Sequence, residues 1–192
     1  MDRKTREWHA LRRERVADCR IFSVERAHAR SPDDGSEHDF YRILSVDWAQ
    51  IVPVTAADEI VMIRQYRHGA EKVTLEIPGG LVEHGEAPAD AAARECLEET
   101  GYRAAHVRSL GALDPNRALF SNRLHTFIAE GVECVAEIQN TSNERTEVQL
   151  VPRSDLIRLL VDGEIDHALV VATLWRFVHE IGVGAARGQA RK

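Results

Sequence analysis

Three glutamates that fall close together on one predicted helix constrain this chain more than any other feature. Residues 80–102 read GLVEHGEAPADAAARECLEETGY. A helix over Pro88–Thr100 is predicted, because proline suits the first turn of a helix and Gly101 can take the left-handed position after its end. On a helical wheel the small and apolar side chains share one arc, and the acidic arc opposite contains Arg94, Glu95, Glu98 and Glu99. The small arc is expected to pack closely on a sheet.

The acidic arc is electrostatically unfavourable by itself. Glu95 and Glu99 are like charges four residues apart, which costs about 0.2–0.5 kcal/mol. Each carboxylate near the C-terminus of the helix also meets the negative end of the macrodipole, at about 0.3–1 kcal/mol when exposed. Arg94 can pair with Glu98 but cannot neutralise three carboxylates. A solvated acidic face would be the ordinary explanation, whereas a bound divalent cation with oxygen ligands, Mg²⁺ or Mn²⁺, would remove the repulsion.

The spacing of these residues resembles the signature of the Nudix hydrolase family, G-x5-E-x7-R-E-U-x-E-E-x-G-U, where U is a bulky apolar residue. Every fixed position is matched, by Gly80, Glu86, Arg94, Glu95, Glu98, Glu99 and Gly101. Tyr102 fills one apolar position, and Cys96, a mild departure, fills the other. Such a match arises by chance on the order of once per 10⁸ starting positions.

The resemblance implies a hydrolase in which a metal-activated water cleaves a diphosphate. The implied metal ligands are the Gly79 carbonyl and the carboxylates of Glu95, Glu98, Glu99 and Glu144, with Glu95 and Glu99 the principal pair. The implied catalytic residues are Arg94, Glu98, Glu99 and Glu144. Glu86 would support the carboxylates, and Glu147 is the alternative to Glu144 on the loop NTSNERTE at 140–147.

Three further segments resemble the ADP-ribose and nucleoside-diphosphate-sugar pyrophosphatase branch of that family. They are the strands before residue 50, the run VMIRQYRHGAEKVTLEIPGGLVEHGE at 61–86 and the run DGEIDHALVVATLWRF at 162–177. The branch implies cleavage of a nucleoside diphosphate sugar to a nucleoside monophosphate and a sugar phosphate. It also implies a homodimer formed through the N-terminal strands.

Substrate contacts are expected from two places. Arg67 would meet a phosphate or carboxylate, and Glu76 would orient it. Segment 113–127 has Ala118 where ADP-ribose-selective members tend to carry proline, so a broader nucleotide-sugar preference is at least as well supported. Its polar side chains could bind phosphate or sugar oxygens, or form an ordinary polar turn: Asn116, Arg117, Asn122 and Arg123.

Other activities fit the same motif. The substrate could be a nucleoside triphosphate, a dinucleotide or a capped RNA end, or the chain could be a nucleotide-sugar sensor without catalysis. The sensor would be expected to lack some of the box carboxylates, and none is missing. His125 and His167 are interpreted as structural hydrogen-bonding residues.

The pattern of elements predicts an α+β fold, the mixed sheet between helices of Nudix proteins, because strands dominate the first half without regular βα alternation. Three regions are expected: 1–50, with a helix at 2–14 and a β-hairpin; a hydrolase domain at 51–182; and a flexible tail at 183–192.

Composition excludes several classes of protein. A net charge of −6 over 192 residues argues against a nucleic-acid partner. Three widely spaced cysteines fit neither a disulfide framework nor a zinc site. No apolar run is long enough to cross a membrane. With no signal peptide in the sequence, the cytoplasm is the expected location.

Overall fold

The computed structural model describes residues 7–140 and 145–189. Its strands are β1 (His9–Asp18), β2 (Ser23–Arg30), β3 (Glu37–Leu44), β4 (Trp48–Thr55), β5 (Glu59–Arg67), β6 (Lys72–Glu76), β7 (Gly79–Leu81), β8 (Tyr102–Arg103), β9 (Arg108–Leu113), β10 (Leu124–Cys134) and β11 (Thr146–Pro152). Its helices are α1 (Pro88–Thr100), α2 (Leu156–Val161) and α3 (Ala168–Gln189), and a 3₁₀ turn at Arg153–Asp155 precedes α2. The chain divides into a first unit, Met1–Val46 with Asp114–Arg123, and a second unit, Asp47–Leu113 with Leu124–Lys192.

The first unit is built on the antiparallel sheet β1-β2-β3. Charged side chains pair across its strands: Arg42 Nε donates to Glu25 Oε1 at 2.7 Å, and Arg26 pairs with Glu14. Segment 114–123 joins this unit through β3, because the Ile43 amide donates to the Leu119 carbonyl at 2.7 Å.

The helix predicted at 2–14 is wrong from residue 9 onward, because His9–Asp18 is a strand. This segment is rich in arginine and alanine, which have good helix propensity. Pairing along the whole of β2, from His9 opposite Arg30 to Asp18 opposite Ser23, outweighs that local preference.

The second unit contains an eight-stranded mixed sheet whose main path runs β11-β5-β4-β10-β8. Strands β4 and β10 run parallel, starting with Trp48 opposite Leu124. Strand β7 pairs with the first three residues of β4, so that Gly79 lies opposite Gln50 and Gly80 opposite Ala49. This pairing brings the first residues of the glutamate motif beside the centre of the sheet.

Neighbouring residues of the central strands alternate between two hydrophobic clusters, one for each face of the sheet. The first cluster joins the sheet to α1 and includes Ile51, Val61, Ala91, Ala92, Cys96 and Phe127. The second joins it to α2 and α3 and includes Val52, Ile60, Met62, Leu156, Leu174 and Phe177. The α+β architecture, a mixed sheet between helices, is therefore confirmed.

The predictions for the helices had mixed success. Helix α1 has the predicted bounds, Pro88–Thr100. Helix α3, however, continues to Gln189, seven residues beyond the predicted end of the hydrolase domain at residue 182, and the rest of the predicted tail lies outside the described residues. Propagating an existing helix fixes only one residue for each hydrogen bond gained. None of the helices described is both long and apolar enough to cross a membrane.

Candidate active site

Helix α1 presents a buried small face and a carboxylate-bearing face, as its sequence predicted. Ala91, Ala92 and Cys96 are fully buried against the sheet. Burial raises the pKa of the Cys96 thiol to about 12. The group is therefore neutral and suits the apolar position of the motif. Gly101 ends the helix with φ 74°, and its amide donates to the Leu97 carbonyl at 2.8 Å.

Two of the motif glutamates lie against strand β7. Glu99 is only 8% exposed, and its Oε2 accepts a hydrogen bond of 2.8 Å from the Gly79 amide. A Cβ on Gly80 would lie 2.4 Å from Oε1 of Glu95. Residue 80 must be glycine for that carboxylate to approach the strand so closely, which explains the first fixed position of the motif.

Arg94 connects three carboxylates and one backbone carbonyl. Its guanidinium donates to both oxygens of Glu86, at 3.0 and 3.1 Å, to Glu95 Oε1 at 2.9 Å and to Glu98 Oε2 at 3.1 Å. A further bond of 3.1 Å reaches the Leu81 carbonyl. The bonds to Glu86 and then to Glu95 raise the pKa of Arg94, and in return the bond from Arg94 lowers the pKa of Glu86. The pair with Glu98 is the one expected from helical spacing, and the bonds to Glu86 and Glu95 add two further carboxylates to it.

The donor chemistry of this site fits a hard divalent cation. Glu95 and Glu99 lie against consecutive residues of β7, and carboxylate oxygens are what such ions prefer. Within residues 7–140 and 145–189, no three acidic, histidine or cysteine side chains are already gathered as a complete metal-binding group. Arg94 instead contacts Oε1 of Glu95 and Oε2 of Glu98. Predicted ligand Glu144 lies outside the described residues.

The first residue of β11 and the segment before that strand also support the carboxylate face, a contribution that the sequence did not reveal. Thr146 is 3% exposed, and its hydroxyl donates to the Glu99 carbonyl at 2.8 Å. The Gln139 amide donates to the Glu98 carbonyl at 2.8 Å. These bonds satisfy carbonyls that the last turn of a helix leaves unpaired. No local sequence signal distinguishes this threonine from those of an ordinary loop. Glu147, the alternative loop acid, is an exposed residue of β11.

Arg67 and Glu76 form the ion pair that the sequence suggested. Arg67 Nε and Nη2 donate to the two oxygens of Glu76 at 2.8 and 2.7 Å. Glu76 is fully buried and also accepts from the Thr74 hydroxyl at 2.6 Å and the His167 ring at 2.9 Å. Burial opposes ionisation of Glu76, but the hydrogen bonds from Arg67 and His167 outweigh it and hold the pKa well below its ordinary value.

The predicted substrate contacts Asn116, Arg117 and Arg123 belong to the first unit. The Asn116 side chain accepts from the Ala118 amide at 3.1 Å, and Arg117 pairs with Asp114. Their substrate roles stay predictions. Asn122, predicted with them as a donor, is 3% exposed and donates to the Val46 carbonyl, so it serves the fold instead.

The two histidines interpreted as structural both make hydrogen bonds. His167 contacts Glu76, and His125 Nε2 lies 2.8 Å from Asp47 Oδ2. Asp47 was not predicted as a partner, because it lies 78 positions from His125 in sequence. Thr74 lies two residues from Glu76 on β6, a spacing that places both side chains on one face of the strand and could have indicated the contact.

Comparison with known proteins agrees with this geometry. The family model of the NUDIX domain matches residues 46–174. The CMP-5'-(N-acetyl-N-hydroxy-3-aminopropyl)phosphonate hydrolase of Streptomyces rubellomurinus is 32% identical over 91% of this chain and 82% of its own length. The ADP-ribose pyrophosphatase of Bacillus subtilis is 32% identical over 60% of this chain and 63% of its own length. A crystal structure of an ADP compounds hydrolase superposes with a TM-score of 0.82 at 25% identity, covering 97% of this chain and 98% of that one.

Proposed function

Since the chain belongs to the Nudix domain family and is a Nudix hydrolase, we propose that it cleaves the diphosphate of a nucleoside diphosphate linked to a sugar. The products are a nucleoside monophosphate and a sugar phosphate. The observation that carries this proposal is the pair of carboxylates held against β7, with Glu99 on the Gly79 amide and Glu95 against Gly80.

The proposed metal ligands are Glu95, Glu98 and Glu99, with the Gly79 carbonyl and Glu144 as further candidates, and Mg²⁺ is the proposed ion, with Mn²⁺ as a substitute. When bound, such an ion neutralises the diphosphate and lowers the pKa of a water. Arg94 keeps the carboxylates in position through its bonds to Glu86, Glu95 and Glu98.

Proton transfer from the attacking water is assigned to an exposed carboxylate. The Glu98 side chain is 40% exposed, compared with 16% for Glu95, and Arg94 contacts its Oε2. Glu98 Oε1 is therefore the atom proposed to take the proton, and Glu144 is the alternative.

Arg67 is the proposed contact for a phosphate or carboxylate of the substrate. Its side chain remains 37% exposed while Glu76 fixes its guanidinium from the buried side. Asn116, Arg117 and Arg123 are proposed as further substrate contacts.

A homodimer is proposed through the first unit. A three-stranded sheet is marginal without a covered face, and on this one the adjoining rings of Trp8 and Phe40, with centroids 4.9 Å apart, are each 45% exposed. Contiguous exposed apolar surface marks an interaction site. A cytoplasmic location is also proposed, because all three cysteines are free.

A nucleotide linked to a phosphonate is the second candidate substrate. It is suggested by the name of the Streptomyces relative, whose alignment covers 91% of this chain. The anhydride between a nucleotide and a phosphonate contains a P–O–P linkage like that of a diphosphate, so its hydrolysis would use the same carboxylates.

The proposal is tested by a panel of substrates with Mg²⁺ and with Mn²⁺: ADP-ribose, ADP-glucose, UDP-glucose, GDP-mannose, a cytidylyl phosphonate, a dinucleotide, nucleoside triphosphates and a capped RNA. We expect kcat/KM to be highest for a nucleotide sugar, with the monophosphate and sugar phosphate as products. A higher kcat/KM for triphosphates or capped RNA would refute the substrate assignment. Tight binding of ADP-ribose without turnover would indicate the sensor.

A further inference from the structure

The Glu76 carboxylate joins three elements of the second unit. It lies at the end of β6 and has no exposed surface. Arg67 from the end of β5 binds both of its oxygens, Thr74 donates to Oε1, and the His167 ring contacts Oε2. A buried carboxylate is stable only when its oxygens are satisfied in this way.

His167 connects the Glu76 carboxylate to the start of α3. It directly precedes α3, and its carbonyl accepts the Val171 amide at 2.9 Å. Its Nδ1 lies 2.9 Å from the same Oε2 that accepts from Arg67 Nη2 at 2.7 Å. Two donors from different elements fix the plane of the carboxylate, and that plane sets the direction of the bidentate arginine.

A short buried segment connects this network to the glutamate motif. Ile77, 1% exposed, follows Glu76, and the Pro78 carbonyl then accepts the Ile51 amide at 3.1 Å. The next residue, Gly79, donates to Glu99. The carboxylate that holds Arg67 is therefore three residues from the amide that holds Glu99.

We propose that His167 is a positioning residue, which fixes the Arg67 guanidinium through Glu76 for contact with the anionic part of the substrate. This inference rests on the proposed function, in which Arg67 contacts the substrate. The Arg67 and His167 side chains are similarly exposed, at 37% and 34%. The proposal gives the substrate contact to Arg67, whose guanidinium carries a fixed positive charge, and gives His167 the role of holding Glu76. Loss of the His167 hydrogen bond therefore weakens substrate binding more than turnover.

A purely structural role for His167 would be anchoring the start of α3 to β6. The adjacent ion pair between Lys72 and Asp166 makes the same connection without touching Glu76. Asp166→Ala is therefore the matched control, since it removes an anchor of α3 and leaves the Arg67 network intact.

The test compares two substitutions of equal shape. His167→Asn keeps a side-chain donor, whereas His167→Leu has the same branching and no donor. With ADP-ribose as the substrate, we expect His167→Leu to raise KM about tenfold with kcat changed less than about twofold, and we expect His167→Asn and Asp166→Ala to stay near the wild-type KM. Equal KM values for the leucine and asparagine variants, or an equal rise in Asp166→Ala, would overturn the proposal.

A double-mutant cycle shows whether His167 acts through Arg67. In an Arg67→Gln background, His167→Leu is expected to change KM by less than about twofold, because the group that it positions is gone. A full tenfold effect in that background would contradict the inference. Absence of turnover in the wild type with every nucleotide sugar would instead overturn the proposed function, and with it this inference.

Discussion

At the scale of single residues, the two glycines that begin β7 have different reasons to be glycine. A Cβ on Gly79 would lie 2.4 Å from the Ala49 carbonyl oxygen, which is backbone of the neighbouring strand. A Cβ on Gly80 would instead lie 2.4 Å from Oε1 of Glu95, the end of a flexible side chain. Gly79 therefore allows β7 to lie close to β4, and Gly80 leaves room for the Glu95 carboxylate.

Substitution of these glycines should separate folding from metal dependence. Gly80→Ala is expected to displace the Glu95 carboxylate and to raise the Mg²⁺ concentration for half-maximal activity by about tenfold, with little loss of stability. Gly79→Ala is expected to lower the free energy of unfolding by roughly 1–3 kcal/mol, since backbone must shift. Urea unfolding and Mg²⁺ titration of activity measure the two effects. An unchanged Mg²⁺ dependence in Gly80→Ala would argue against Glu95 as a ligand.

Helical spacing was sufficient to predict the pair of Arg94 with Glu98, because residues four apart on a helix lie side by side. The contact of Arg67 with Glu76 joins two strands, and it was anticipated only through the resemblance to the pyrophosphatase branch. The role of Asn122 was not predictable. Its side-chain amide donates to the carbonyl of Val46, 76 positions away in sequence, and no local pattern reveals that contact.

At the scale of elements, the end of α1 depends on its glycine cap more strongly than a backbone angle alone requires. Gly101 has φ 74°, and a Cβ there would lie 2.1 Å from the Ala136 carbonyl oxygen. Gly163, after α2, has nearly the same φ of 76° but open space around the position of a Cβ.

Alanine at these two caps should have unequal costs. Gly163→Ala is expected to lower the free energy of unfolding by about 1 kcal/mol, the cost of a left-handed conformation for an L-residue. Gly101→Ala is expected to lower the free energy of unfolding by roughly 1–3 kcal/mol more than Gly163→Ala does, because the backbone at Ala136 must also move. Urea unfolding of both variants measures the difference, and equal losses would show that the Ala136 contact relaxes freely.

The Glu76 network, which connects β5, β6 and α3, predicts a pH dependence of stability. Folding lowers the pKa of the Glu76 carboxyl from 4.5. The ionised carboxylate therefore stabilises the fold above pH 4.5, and this contribution is lost as the pH falls further. Glu76→Gln is expected to cost about 3 kcal/mol at pH 7, and the difference from the wild type should shrink below pH 4.5.

The control for this pH dependence is Glu180→Gln, which breaks an exposed pair with Arg108. Exposed pairs contribute little, so its unfolding free energy should follow the wild type throughout. A Glu76→Gln difference that stayed constant from pH 7 to pH 3 would contradict the ionised, buried carboxylate.

The success of sequence prediction for each element depended on where its stability comes from. Helix α1 was predicted because its own residues contain both end signals and the packing face. Strand β1 was not, because its conformation comes from pairing with β2 and from ion pairs such as Arg13 with Glu25 at 3.7 Å. The parallel pairing of β4 with β10 likewise joins distant segments and has no local signal.

At the scale of the whole molecule, a dimer formed through the first unit should dissociate when a charge is placed on the exposed apolar side chains of its sheet. Phe40 on β3 is 45% exposed and stacks edge-on against Trp8 with ring centroids 4.9 Å apart. Phe40→Glu is expected to convert a dimer into a monomer in light scattering after size exclusion, because a buried unpaired carboxylate is costly.

The matched control is Val161→Glu, which places the same charge on a residue of the second unit that is 70% exposed. It should leave the dimer intact. A wild-type monomer, or a dimer unaffected by Phe40→Glu, would refute dimerisation through this sheet.

The central claim is that Glu99, held on the Gly79 amide, is part of the metal site of a nucleotide-sugar hydrolase. The most direct test measures Mg²⁺-dependent release of AMP from ADP-ribose by the wild type and by Glu99→Gln, with thermal unfolding to verify that the variant folds. We predict turnover in the wild type that requires Mg²⁺ and falls at least about 100-fold in a folded Glu99→Gln variant. Turnover that is unchanged in Glu99→Gln, or that proceeds without any divalent cation, would contradict the claim.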